Sequence, residues 1–283
     1  MNLDSYLQQA RERKQAIGHF NFATEDVLKA VVAAAKEAGS GAVMVGTSEG
    51  EAGFIGIKEA VALVRTIREG MDFPVFLNAD HFKSFEKCKE AIDAGYDSVI
   101  IDASKLPIEE NIALAKQVVG YARSVNPAIS VEGELGYLKG SSEVQTKIEI
   151  SPADYSKPEE VADFVARTGV DRMAVVFGNI HGIVTDQEEK LDVEHFKKIV
   201  AAAPAPYYVL HGASGLKDGD VHAAIQAGVA NVHFNTELRV AYQHELAKQL
   251  AEHPNETTPY KYLAPAAEEV KKLVLQKLAL FQK

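Results

Sequence analysis

Cysteine occurs once in this chain, at Cys88. A lone thiol closes no internal disulfide, which fits a reducing compartment, and Cys88 reads as a small buried helix residue rather than a nucleophile. No uninterrupted apolar stretch of about 18 residues exists, so no membrane span is expected. The opening stretch MNLDSYLQQARERKQ is an amphipathic helix of mixed charge without the apolar centre of an export signal, and a cytoplasmic protein is expected. Basic runs are missing as well. Against a net charge of −10 that argues against nucleic acid as a partner, while a locally positive pocket for an anionic small substrate stays open. No Gly-x-Gly-x-x-Gly follows the first apolar run, and no Gly-x-Ser-x-Gly elbow occurs. Dinucleotide binding and Ser–His–Asp catalysis are therefore without support.

What the sequence does contain is a repeated alternation. Short apolar runs at 15–22, 41–47, 73–80, 98–104, 128–136, 172–179, 206–214 and 230–237 each precede a segment of helical period. Near-continuous apolar strands separated by helices are the pattern of a parallel sheet covered by helices. Eight such units in 283 residues predict a (β/α)8 TIM barrel with extra C-terminal helices, as one domain over 1–283. The turns before the even strands carry Gly39, Gly95, Gly169 and Gly228, and those before the later odd strands carry prolines. Gly ends a helix by accepting the left-handed conformation and Pro by lacking an N–H. Residues 138–157 break the short-loop rule: the stretch is polar, without evident regular structure, and sits where a barrel keeps its chemistry, so it reads as a lid. The tail 237–283 reads as two or more helices that close the barrel bottom or meet another subunit.

Polar residues gather at the C-terminal ends of the strands, where barrel active sites lie. Five of the nine histidines fall there: His19, His81, His181, His211 and His233. His81, His181 and His211 each follow an apolar run, and two are followed at once by Gly182 and Gly212. Three neutral imidazoles leave a divalent ion its full charge and one open position, the arrangement of a Lewis-acid zinc site. The segment LHGASGL (210–216) and the stretch NTEL (235–238) offer free N–H groups to a phosphate at the usual barrel position; a plain tight turn is the alternative for the first. None of the eight strand cores holds a lysine, which argues against a Schiff-base enzyme.

These residues resemble the class II, metal-dependent ketose-bisphosphate aldolases, the fructose- and tagatose-bisphosphate enzymes. The resemblance covers nearly the whole chain, with motifs in the family's order: FNF, ADHFKS, DSVIIDASKLPIEENI, VEGELGYLKG, VVFGNIHGIV, YVLHGASGL and VHFNTELRVAY. It implies a lyase of carbohydrate metabolism and glycolysis that cleaves fructose 1,6-bisphosphate reversibly to dihydroxyacetone phosphate and glyceraldehyde 3-phosphate. His81, His181 and His211 would bind zinc or another divalent ion, which stabilises the enediolate. Glu134 would lie near an alternate metal position, Asp102 would support the ligand shell, and Asp80 would be the acid/base at the C4 oxygen. Asn21, Thr47, Gly182, Gly212, Ala213, Ser214, His233, Asn235 and Thr236 would line the substrate and its C1-phosphate, with Na+ or K+ beside that phosphate. Arg239 would reach a neighbouring subunit's substrate, implying a homodimer or homotetramer.

The chain departs from the family at several of these positions. His233 stands where an Asn is usual, Asn78 where a His is frequent, and Glu143 one place after the usual loop acid. A tagatose-bisphosphate or other phosphorylated-ketose aldolase is therefore an alternative. So is a non-catalytic phosphosugar-binding barrel, with its lid acid displaced and the open zinc position taken by His233.

Overall fold

The computed structural model describes residues 2–282. Eight parallel strands close into a barrel: β1 (Ile17–Asn21), β2 (Val43–Ser48), β3 (Val75–Phe82), β4 (Ser98–Ile101), β5 (Ser130–Leu135), β7 (Arg172–Val175), β9 (Tyr207–Leu210) and β10 (Val229–Phe234). They run round the ring in the order β1-β10-β9-β7-β5-β4-β3-β2. Each predicted strand is present. The fold is the TIM barrel that alternating apolar runs and helices require.

Side chains alternate across each strand, so the barrel has two different faces. The outward residues of β2, Val43 and Val45, join the main core with Val31 and Ala35 of α2 (Glu25–Glu37) and Val64 of α4 (Ile57–Met71). The remaining wall helices are α5 (Phe85–Ala94), α6 (Ile108–Val125), α7 (Pro158–Thr168), α8 (Val193–Ala202) and α9 (Asp218–Ala227). Cys88, on α5, is fully buried and its thiol is pushed up to about 12 by burial. That makes it a packing residue, as expected, since a thiolate is what reacts. Helices α5 and α7 end on Gly95 and Gly169 in the left-handed conformation, as read from the turns.

Two parts of the sequence reading are corrected. Helix α1 (Leu3–Glu12) closes the barrel bottom, where Leu3, Leu7 and Ala10 cover Ile17, Met44, Phe76 and Ala230. The C-terminal tail does not: α10 (Thr236–Glu252) is followed by α11 (Pro259–Phe281), which packs against α2, α10 and β1 as the last wall helix. The 138–157 loop is also partly regular. β6 (Gly140–Gln145) pairs in parallel with β8 (His181–Val184) above the barrel mouth, and a 3₁₀ turn spans Pro152–Asp154. The polar run GSSEVQ hides that strand, because none of its residues is buried and the run carries no apolar alternation. A further short helix, α3 (Glu49–Ile55), follows β2 and is boxed by Ser48 and Glu51.

Candidate metal centre and active site

The mouth of the barrel opens into a cavity of about 710 Å³, large enough for a phosphorylated sugar. Asp80 and His81 enter from the end of β3. His81 is held at φ +52°, a left-handed backbone that costs a non-glycine residue about 1 kcal/mol. Its ring Nε2 lies 3.0 Å from Nδ1 of His211 and 3.3 Å from Nε2 of His181. The three predicted rings therefore converge from β3, β8 and the end of β9. Gly212 is required there: its φ is +66°, and a Cβ would fall 1.9 Å from the carbonyl oxygen of Ile180.

Asp102 and Glu134 stand on the other side of the His81 ring. Their carboxylates lie 3.4 and 3.2 Å from its Nδ1. A carboxylate behind a ligand imidazole orients the ring and raises its basicity, which suits Asp102 as a support and keeps Glu134 one ring away from the other histidines. Burial alone would lower the His81 value, but Asp80, Glu134 and Asp102 outweigh it and hold the ring well above the ordinary imidazole value. His181 is held well below it by burial and by the neighbouring His81 and His211. Burial pushes Glu134 up.

Asp80 is 6% exposed and ionised. Burial opposes the charge, yet His81, His19, His211 and an Asn21 hydrogen bond bring its carboxyl down to about 2. Asn21 Nδ2 donates to Asp80 Oδ2 at 2.9 Å and to Glu51 Oε2 at 2.9 Å. Glu51, absent from the sequence reading, lines the same cavity and is pushed up by burial.

Gly182, Gly212, Ser214, His233, Asn235 and Thr236 all line the cavity. Ser214 Oγ accepts from the Glu237 N–H at 3.3 Å, and the Gly215 N–H is held by Glu237 Oε1 at 2.8 Å. The turn after β9 is thus tied to the first turn of α10. Arg239 lines its own chain's cavity and donates to the carbonyl and hydroxyl of Ser142. Ser142 also meets the Thr236 hydroxyl at 3.0 Å, so both contacts pin the β6 segment over the mouth. Glu143 is exposed and takes a bond from Ser141.

Two expected site residues point elsewhere. Thr47 shares the outward parity of Val43 and Val45; its hydroxyl is buried against the Tyr96 hydroxyl at 2.8 Å. Ala213 is part of the apolar core. Lys83 and Lys105 reach the cavity rim but both are exposed, so neither is the desolvated amine a Schiff base needs.

Beneath the mouth lies a polar layer centred on Arg172, a residue the sequence reading did not single out. Arg172 and Glu132, both wholly buried, pair at 2.6 Å, and Glu132 Oε1 meets His211 Nε2 at 2.6 Å. Arg172 also reaches Ser130, Asn78 and Asn231. His19 stacks on His233, with ring centroids 3.7 Å apart. The ring of His19 fills the space over Gly46, where a Cβ would lie 2.2 Å from its Nε2. His233 turns its nitrogens to Asn231 Oδ1 at 2.8 Å and Asp80 Oδ1 at 3.4 Å. It does not join the His81, His181 and His211 group. Burial and nearby cationic groups hold both His19 and His233 well below the usual value, hence neutral.

Comparison with known proteins agrees with this geometry. A sequence profile described as Fructose-bisphosphate aldolase class-II matches residues 1–283. A fructose-bisphosphate aldolase of Geobacillus stearothermophilus is 36% identical, over 99% of this chain and 96% of that protein. A probable fructose-bisphosphate aldolase of Bacillus subtilis is 35% identical, over 99% and 97%. Among solved structures, the YdjI aldolase of Escherichia coli K12 superposes with a TM-score of 0.85 at 30% identity, covering 99% of this chain and 96% of that one.

Proposed function

The chain belongs to the class-II fructose-bisphosphate aldolase family, a family of lyases, and on that premise we propose that it is a zinc-dependent aldolase cleaving fructose 1,6-bisphosphate. The products are dihydroxyacetone phosphate and glyceraldehyde 3-phosphate, and the reaction runs both ways. The observation that carries this reading is the meeting of three imidazoles from distant strands with an ionised, nearly buried Asp80 beside them.

The donor set fits zinc. Three imidazole nitrogens with no exposed thiol suit a tetrahedral ion that keeps one open position. When bound there, such an ion would draw electron density from the carbonyl oxygen of a ketose. His81, His181 and His211 would hold it, with Asp102 and Glu134 behind the His81 ring and Glu132 behind the His211 ring to orient them. Asp80 takes the proton of the C4 hydroxyl as the C3–C4 bond breaks, and returns it in condensation. Asn21 keeps the Asp80 carboxylate aimed by donating to the oxygen that does not face His233. His233 does not close the site, because its nitrogens are directed to Asn231 and Asp80. The Gly212–Ser214 turn and the start of α10 present N–H groups to the C1-phosphate. A sodium or potassium ion beside that phosphate belongs to the same reading. The β6 segment, held by Arg239, excludes water.

Coupled cleavage kinetics on fructose and tagatose bisphosphates, with and without a chelator, test the proposal. Chelator-sensitive turnover of the fructose substrate with the higher kcat/KM supports it. Preference for the tagatose substrate would reassign specificity, and turnover that survives exhaustive chelation would remove zinc from the mechanism.

A further inference from the structure

We propose that Glu51 is a specificity-determining residue that recognises the substrate hydroxyl on the carbon next to the one Asp80 serves. For a ketose that is the C5 hydroxyl and for the aldehyde partner in condensation the 2-hydroxyl, an assignment that rests on the aldolase reading of the site.

Glu51 stands in the first turn of α3, and its carboxylate is held from two elements. Oε2 accepts from the Ser48 N–H at 2.7 Å and from Asn21 Nδ2 at 2.9 Å. The Glu51 N–H donates in turn to Ser48 Oγ at 3.3 Å, which closes the box at the start of the helix. A carboxylate oxygen accepts about two hydrogen bonds, so Oε2 is filled. The Ser48 hydroxyl is the one further donor near the carboxylate among the described residues. Oε1 therefore keeps a position open to a donor in the cavity that Glu51 lines.

Asn21 fixes where that position lies. Both hydrogens of its amide nitrogen are used, one on Glu51 Oε2 and the other on Asp80 Oδ2, each at 2.9 Å. Two carboxylates thus flank one nitrogen, and the oxygen next to the one Asp80 handles falls to Glu51. The order of strands gives the direction. β3, which carries Asp80, stands opposite β9, whose end leads into the Gly212–Ser214 turn. A ketose with its C1-phosphate at that turn and its C4 oxygen on Asp80 spans the mouth. Its C5 and C6 then run on toward the residues that follow β2, β3 and β4, among them Glu51, Lys83 and Lys105.

Charge selects the group that meets Glu51. An ionised carboxylate attracts a hydroxyl and repels a phosphate. Burial pushes the Glu51 carboxyl up. Because Oε2 already accepts two N–H bonds, a proton would sit on Oε1, and a hydroxyl serves that form too by accepting. The terminal phosphate of a bisphosphate then lies past Glu51 at the rim, where the exposed Lys83 and Lys105 stand.

Condensation of dihydroxyacetone phosphate with short aldehydes by the zinc-loaded enzyme tests this. Acetaldehyde lacks the 2-hydroxyl, and methoxyacetaldehyde keeps the oxygen but cannot donate. The wild-type protein should favour glycolaldehyde over both by about 10- to 100-fold in kcat/KM, the range of a hydrogen bond to a charged group. Glu51→Ala should lower both ratios by that factor. Glu51→Gln should keep the preference over acetaldehyde, because its amide still bonds a hydroxyl. A purely structural role, in α3 or in holding Asn21, would slow every aldehyde alike, and unchanged ratios in Glu51→Ala overturn the proposal. So does a wild-type enzyme that condenses all three aldehydes equally well, a measurement that needs no variant to fold. A protein that condenses none of them, nor glyceraldehyde 3-phosphate, is no aldolase, and both readings fall together.

Discussion

Asp80 and His81 are consecutive on one strand yet serve two different groups of side chains. Asp80 stays in the strand's inward row and takes a hydrogen bond from Asn21, whereas His81, turned to φ +52°, swings its ring to His181 and His211. Strand alternation would send neighbours to opposite faces. The left-handed residue is what lets both line one cavity, and such strain persists only where the surroundings over-determine it. The acid and the metal ligand are thereby separable by mutation.

Asp80→Ala should keep zinc and lose turnover. The three ring nitrogens do not depend on the carboxylate for their positions, and removing a general acid/base lowers rates by about 10²- to 10⁴-fold. Metal analysis and kcat on the same preparation check this. Full activity in the variant would remove the proton-transfer role from Asp80.

Zinc binding should release a proton and tighten with rising pH. His81 is held above the ordinary imidazole value in the metal-free protein by Asp80, Glu134 and Asp102, against its burial. It is therefore protonated at neutral pH and must shed that proton to become a ligand. His181, held below the usual value, adds none. Affinity should fall about tenfold for each unit of acidification below the His81 value, with roughly one proton from His81 per ion near pH 7. Calorimetry in buffers of different ionisation heat measures that number. His181→Ala should lose both the ion and the zinc-dependent gain in melting temperature.

The ring of strands was legible because each is an apolar run closed by a turn residue, and the ligand histidines because they stand at strand ends. The layer around Arg172 was not. An arginine at the start of a strand reads as a surface residue, and a buried one is rare unless paired. A signal does exist in the alternation: His19 and Asn21, Asn78 and Asp80, Ser130 with Glu132 and Glu134, and Asn231 with His233 are polar residues two apart on single strands. Period-two polarity inside apolar runs marks an inward face that is not hydrophobic. Read that way, Arg172, in register opposite Glu132, belongs to the same face. Strand β6 carried no such mark, since its partner is the short segment beginning at His181.

Thr47 offers a case where resemblance and geometry diverge. Its parity directs the hydroxyl out of the barrel to Tyr96. Thr47→Val should leave kcat/KM near the wild-type value while costing about 1–3 kcal/mol of stability, because the Tyr96 hydroxyl is left buried without its partner. Denaturant unfolding and steady-state kinetics distinguish the two readings. A large loss of kcat/KM with unchanged stability would return Thr47 to the substrate.

Glu189 sets a pH dependence of stability that is independent of the metal. The residue is 6% exposed, and the Ile180 N–H, which only partly offsets the burial, is the one donor near its carboxylate among the described residues. Burial pushes its carboxyl up to about 8 from the usual 4.5. A group whose folded value lies above its unfolded one binds a proton on folding, so its contribution is fully present below pH 4.5 and is lost as pH rises through 8. Glutamine reproduces the protonated form at every pH. Glu189→Gln should therefore match the wild-type protein near pH 4.5 and exceed it increasingly as pH rises, by about 1.4 kcal/mol per pH unit between the two values and on the order of 5 kcal/mol at the upper end. Above pH 8 the folded wild-type protein ionises too, and the difference levels off. Melting curves of both proteins across this range, taken without zinc so that the histidine site does not contribute, measure the divergence. Parallel curves would mean that Glu189 has found a partner or reaches solvent.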